Sequence, residues 1–338
     1  MVVLKQHFPS GDLKSMWSNV ILHPNTLPEG IRSSLDTNGL DKFSIPSVVD
    51  NATPLKQTIL CRHQHSKYNE YIDTILSTEL YKSLLQEEDS LRAKAKAIEL
   101  LQDFKQKVWL DHMTDLSPQG CIQGEAQGKL FAELVNNDPT IFPDLVAFSP
   151  YLRTRKTAYY LLKYVKWLDI DIDSLVYKEK YRDHIVGSFK GKKVTLRAEN
   201  LIRERNYGIQ SMPSILKKYF NEWSSLYSHA WLLPTDIHQL SYFAGDLDIA
   251  EQTKMEERAE QYSTRISTDN YKNRLLITHE LFILWFVGFL LEGSYPTFSN
   301  FFNNWRPQHG SMSFISQTQE IWQNPKFNLA GYNLMLKA

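Results

Sequence analysis

Arg274 and His279 stand in R-x4-H spacing, a guanidinium and an imidazole within one segment that reads as helix. His63-Gln-His65 followed by Glu70 offers two imidazoles and a carboxylate, donors that suit a divalent transition metal. Asp169, Asp171 and Asp173 repeat a carboxylate every second position, but they alternate with Leu168, Ile170 and Ile172 and read as the edge of a strand. His112, between Asp111 and Asp115, reads as helix-end electrostatics. By position, Arg274 is expected on a helix surface and His279 half-buried at a helix boundary. Neither is assigned catalysis. Arg274 and His279 stand as catalytic candidates, and His63, His65 and Glu70 as metal candidates. Whether the chain is an enzyme is left open, with a non-enzymatic role favoured, and no cofactor is expected.

Two of these spacings resemble known families. Arg274-x4-His279 resembles the HEPN ribonucleases, in which the histidine and arginine act on the 2′-hydroxyl and scissile phosphate. Leu275 stands where that family places a polar residue. The spacing His63-x-His65-x4-Glu70 resembles the cupin metal motif, which requires strands and glycines, whereas 66–81 reads as helix. Walker A, GxGxxG, GxSxG, HExxH and zinc-type cysteine spacings are absent, which excludes P-loop hydrolysis, Rossmann hydride transfer and zinc-finger recognition.

Charge is balanced over the chain but not along it. Lysine plus arginine and aspartate plus glutamate each number 38, yet residues 151–220 hold 16 basic residues against seven acidic ones. Arg153, Arg155, Lys156, Lys190, Lys192, Lys193, Arg197, Arg203, Arg205, Lys217 and Lys218 are the candidate phosphate contacts, interleaved with Tyr151, Tyr159, Tyr160, Tyr164 and Trp167. Within this segment, 196–205 reads as a helix, Asn206-Tyr-Gly-Ile209 as a turn, and the residues from Ser214 as a second helix opened by Pro213. The arrangement resembles helix-turn-helix units of bacterial regulators and transposases, which implies DNA binding in the major groove. Glu204 and Ser214 depart from that pattern, standing where small or branched apolar residues are usual. The function expected is therefore a nucleic-acid-binding component, for DNA or RNA, of a larger intracellular complex of mobile-element, defence or replication type. The alternatives are a helical scaffold or effector-like protein-interaction protein, and a HEPN-type ribonuclease or helical metal oxygenase. Partners expected are nucleic acid and protein, not membrane.

The elements that would carry these groups read as mainly α: a multi-helix globular protein with an irregular, partly β, N-terminal region. Five prolines within 1–56 forbid long helices there, and 58–61 reads as a strand. Residues 55–117 contain neither proline nor glycine, and Leu84, Leu91 and Ile98 recur at seven-residue spacing, predicting a helix or helical pair over 79–113. Pro118, Gly120, Gly124 and Gly128 read as a break. Helices are predicted at 129–136, 154–168, 214–227, 250–266 and 269–291, with 192–196 a candidate strand. The divisions are an irregular region 1–78, a helical segment 79–150, a basic helical segment 151–225 and an aromatic-rich helical region 226–338. Two cysteines without CxxC spacing and an N-terminus unlike a signal peptide fit a cytoplasmic protein.

Overall fold

A computed structural model of the chain describes residues 56–107, 113–176, 184–204, 247–292, 307–317 and 327–334. At its centre is one eight-stranded mixed β-sheet. The mainly α architecture is therefore corrected to α/β. In chain order the elements are β1 (Lys56–Arg62), α1 (Lys67–Ser77), α2 (Glu79–Leu85), α3 (Ser90–Lys107), α4 (Pro118–Asn137), β2 (Leu145–Phe148), α5 (Leu152–Leu162), β3 (Leu168–Asp169), β4 (His184–Phe189) and β5 (Lys192–Ala198). Then come α6 (Leu247–Thr268), β6 (Asn273–Thr278), α7 (Glu280–Glu292), β7 (Met312–Gln317) and β8 (Phe327–Leu334). Across the sheet the order is β3-β4-β5-β2-β6-β1-β7-β8. The four central strands β5, β2, β6 and β1 run parallel. Antiparallel partners extend both edges.

Burial on both faces explains why the sheet hides in the sequence. Ile59, Cys61, Val146, Phe148, Leu275 and Ile277 pack against Phe131 and Val135 of α4 and Leu161 of α5. Leu60, Leu145, Ala147 and Leu276, alternating with them, meet Met255 and Tyr262 of α6 and Phe282 and Phe286 of α7. A parallel strand covered on both sides is apolar at every position, and its run of residues shows no period of two. The stretch 269–291 is accordingly a strand, a break at His279 and a helix, not one long helix.

Two further segments differ from expectation. Residues 192–198 form β5 and Asn200–Ile202 a single 3-10 turn, so the first helix of the proposed helix-turn-helix does not exist. Its second helix lies outside the described residues. The DNA-binding and all-α assignments fall with it. The glycine cluster, read as a break, lies inside α4. A Cβ at Gly120 would stand 1.9 Å from the His65 carbonyl oxygen, and one at Gly128 2.0 Å from that of Tyr160. These glycines let a helix approach backbone at contact distance, and the chain they approach at His65 carries the site described next.

Candidate active site

Three central strands end in polar residues at the same edge of the sheet. β1 ends in Arg62 and continues to His63; β2 is followed by Ser149, Tyr151 and Arg153; β6 is followed by His279. In a parallel α/β sheet this edge, where carboxyl ends meet helix N-termini, is where ligands bind. The His63 and His279 rings lie 5.1 Å apart, edge to face. The Arg153 Nε–H donates to His63 Nε2 at 3.3 Å, and the guanidinium lies over the Tyr151 ring, 4.9 Å from its centroid. Tyr151 in turn packs on His279 at 5.0 Å. His309, just before β7, places its ring 5.8 Å from His63 and 5.1 Å from His65.

The segment after β1 is fixed from several directions. Gln64 N–H donates to Thr157 Oγ1 on α5, and its side-chain amide reaches Gln127 of α4. Ser117 N–H donates to the His65 carbonyl, and Gly310 N–H to the carbonyls of Arg62 and His63. His65 holds Ser117 Oγ through Nδ1 at 2.8 Å and Asp73 through Nε2 at 3.2 Å, so it is a strut of the wall.

His63 has a defined tautomer. Its Nδ1 lies 2.7 Å from the Gln64 carbonyl oxygen, which can only accept, so Nδ1 carries the proton and Nε2 the lone pair. Burial, with the positive charges of Arg153 and Arg62, holds its pKa well below the usual histidine value. His279 is lowered in the same way, by burial first and then by Arg153 and Arg62. Both are neutral at neutral pH. Ser149 Oγ meets His279 Nε2 at 2.8 Å, and the Glu204 carboxylate lies 3.8 Å from Nδ1. Arg62 Nη1 bonds the Pro307 carbonyl at 2.6 Å and the Glu280 carboxylate at 2.8 Å. The site thus combines two guanidinium groups, a neutral histidine with its lone pair inward, a second neutral histidine and two carboxyls.

The residues singled out by spacing have mixed fates. His63, His279 and Arg153 meet here. Arg274 does not: it lies near the start of β6, His279 beyond its end, and it is buried with its guanidinium on the Ile266 carbonyl and Asp269. The ribonuclease pairing is thereby corrected. Glu70 is exposed on α1, apart from the buried His63 and His65, and among the described residues no group of three or more His, Cys, Asp or Glu could hold a metal. The metal-oxygenase reading has no support in this arrangement.

The basic set does not form one face. Arg155 is buried against the Leu175 carbonyl, Lys156 is paired with Asp115, and Arg197 with Glu199. Lys192 pairs with Asp144, and Lys190 and Lys193 sit with it at the start of β5, the edge opposite the site. Arg203 follows the 3-10 turn, its carbonyl held by Arg258. Arg205, Lys217 and Lys218 lie outside the described residues. Nucleic-acid binding, and the scaffold alternative beside it, give way to a buried ionic site at the strand ends.

Arg62, Ser149, Glu204, Glu280 and His309 were not among the candidates. A usable signal was present: the runs 58–61, 145–148 and 275–277 are followed within two residues by an arginine, a serine and a histidine, respectively.

Among the described residues no helix is long and apolar enough to cross a membrane. No family model matches the chain, and no curated protein matches it. Solved structures similar to it include a putative alpha-ribazole-5′-P phosphatase from Escherichia coli, at 14% identity and TM-score 0.45, covering 82% of this chain and 96% of that one. A mycobacterial glucosyl-3-phosphoglycerate phosphatase overlaps at 11% identity and TM-score 0.41, covering 82% and 98%. A phosphoglycerate mutase from Bacillus anthracis overlaps at 15% identity and TM-score 0.42, covering 82% and 92%.

Proposed function

We propose that this chain transfers the phosphoryl group of a small phosphate monoester to His63 and then to water. The carrying observation is the orientation of His63: Nδ1–H bonded to the Gln64 carbonyl and the Nε2 lone pair facing the Arg153 guanidinium. A nucleophile beside a cation that binds phosphoryl oxygens is the arrangement phosphoryl transfer to nitrogen needs.

Each group has a role that follows from its place. Arg62 and Arg153 flank His63, and a tetrahedral dianion between them would take charge-assisted hydrogen bonds from both. The first turn of α5, whose N-cap Tyr151 supplies no side-chain hydrogen bond, carries Arg153 and adds the positive end of a helix dipole there. His279, held by Ser149 and packed on His63, forms a neighbouring wall of the anion site. The His63 Nε2 lone pair attacks phosphorus as the bond to the ester oxygen breaks, and the leaving oxygen takes a proton. We assign that proton to Glu204, the carboxyl beside His279. Water then attacks phosphorus, the P–N bond breaks, and the water proton passes to Glu204. Free Cys61 and Cys121 accord with a reducing, cytoplasmic setting.

Rapid acid-free quenching of the purified chain with a 32P-labelled monoester tests this reading. The expected product is an alkali-stable, acid-labile phosphoenzyme whose label maps to residue 63 and is lost in His63→Ala. Turnover of p-nitrophenyl phosphate should fall at least about a thousandfold in that variant. Turnover that survives His63→Ala in folded protein would refute the assignment.

A further inference from the structure

One ring at the site, that of His309, has no part in that transfer. His309 immediately precedes Gly310, whose N–H donates to the carbonyls of both Arg62 and His63. Gly310 has φ of 75°, and a Cβ there would stand 2.6 Å from Gln127 Oε1 and 2.7 Å from the Gln64 amide. The backbone at residue 309 is therefore locked to the backbone of the nucleophile, through a turn that only glycine completes without strain. Such a mount fixes where the His309 side chain leaves the backbone relative to His63.

The ring's Nε2 atom is buried, and among the described residues it has no hydrogen-bond partner. An orphaned nitrogen in the interior costs free energy unless something bonds it, and such a group asks for an explanation in a ligand or ordered water. His279 Nδ1 is in the same condition, and both rings pack on His63. His279 Nδ1 has the Glu204 carboxylate 3.8 Å away, whereas for His309 Nε2 no ion pair stands in place of the missing hydrogen bond among the described residues. The competing explanation is packing: His309 would fill the space between His63 and His65 as any flat ring could. Packing accounts for the ring stacking but not for a nitrogen in that place.

We propose that His309 is a substrate-binding residue of this site, its Nε2 hydrogen-bonding a non-bridging phosphoryl oxygen. The assignment rests on the phosphoryl-transfer reading and extends it: the phosphoryl group is gripped by a third histidine, contributed by the turn before β7. The ester's organic part then enters from the side where Arg62, Glu280 and His309 are partly exposed.

His309→Phe keeps a ring in place and removes both nitrogens; His309→Gln keeps a donor. The primary measurement is the affinity of the full chain for inorganic phosphate by titration calorimetry. Loss of one charge-assisted hydrogen bond predicts roughly tenfold or more weaker binding in His309→Phe, and His309→Gln should retain more affinity than His309→Phe. With p-nitrophenyl phosphate the same variant should raise KM by a similar factor while His63 is still phosphorylated. If His309→Phe does not fold, His309→Ala carries the same expectation. Phosphate affinity and KM equal to the parent's in a folded Phe or Ala variant would leave packing as the explanation and overturn the assignment. If the parent chain itself neither binds phosphate nor forms the phosphoenzyme, the proposed function falls and this inference with it.

Discussion

Glu280 is the residue least expected in a site for a dianion. Its carboxylate lies 2.8 Å from Arg62 Nη1, and the Pro307 carbonyl takes the same nitrogen at 2.6 Å. Two acceptors on one Nη fix the guanidinium plane, which helps align it for a tetrahedral ligand, while the carboxylate's charge opposes that ligand. Orientation and charge separate in Glu280→Gln, which keeps an acceptor for Arg62 and removes the negative charge. At an effective dielectric near 20, a unit charge one side chain away is worth roughly 1–2 kcal/mol to a bound anion. Inorganic phosphate should then bind about five- to thirtyfold more tightly to the variant, as read by calorimetry at low salt. Weaker binding would mean that the ion pair's charge, and not merely its geometry, holds Arg62 in place.

At the scale of elements, the clearest surprise is the glycine row of α4. Gly120, Gly124 and Gly128 recur every fourth position, which places them on one helix face, yet as letters they resemble a loop. The helix forms because Ser117 caps it, its side chain accepting from Gly120 N–H, and because the glycine face meets backbone and tyrosine rather than water. Gly128→Ala would ordinarily favour a helix by about 1 kcal/mol. Here its Cβ would stand 2.0 Å from the Tyr160 carbonyl oxygen, and a clash with backbone cannot be relieved by a rotamer change. The net effect should be destabilisation by about 1–3 kcal/mol in urea unfolding; a stabilised variant would show that α4 and α5 can separate without cost. The same logic marks what was legible in the chain. Isolated patterns such as 58–61, 192–196 and 250–266 were visible because each is short and bounded, and they fall within β1, β5 and α6. The run through β6 and α7 was not, because a doubly buried strand and a buried helix are both largely apolar sequence, divided there only by Thr278, His279 and Glu280. His63 and His279 were noticed for their local neighbours, Glu70 and Arg274, neither of which stands with them in the site. Their true partners come from other strands, and no spacing within one segment encodes them.

At the scale of the molecule, three of the site's histidines set how stability responds to pH. Burial, and then Arg153 and Arg62 among the surrounding charges, lower the pKa of His63 and His279 well below the ordinary value. His309 is lowered to about 2, by burial first and then by Arg62, His65 and Arg153. Released into the unfolded chain, each would titrate near 6.5. Below that pH the unfolded state binds protons that the folded state refuses, so unfolding becomes easier as the solution is acidified. Above it, both states carry neutral rings and the contribution is constant. Each histidine can add at most about 1.4 kcal/mol per pH unit to the slope. Urea midpoints for the chain should therefore be flat in this respect from pH 8 to 7 and fall steadily from pH 6.5 to 5. His309→Phe should lose about one proton's share of that slope. A bound phosphate dianion would offset the arginines that keep these rings neutral, so saturating inorganic phosphate should flatten the acid limb as well as raise the midpoint. A profile that is level between pH 6.5 and 5 would mean that the three rings are not held neutral in the folded chain. The cluster of cations and unprotonated histidines would then not be the resting state from which an anion is captured.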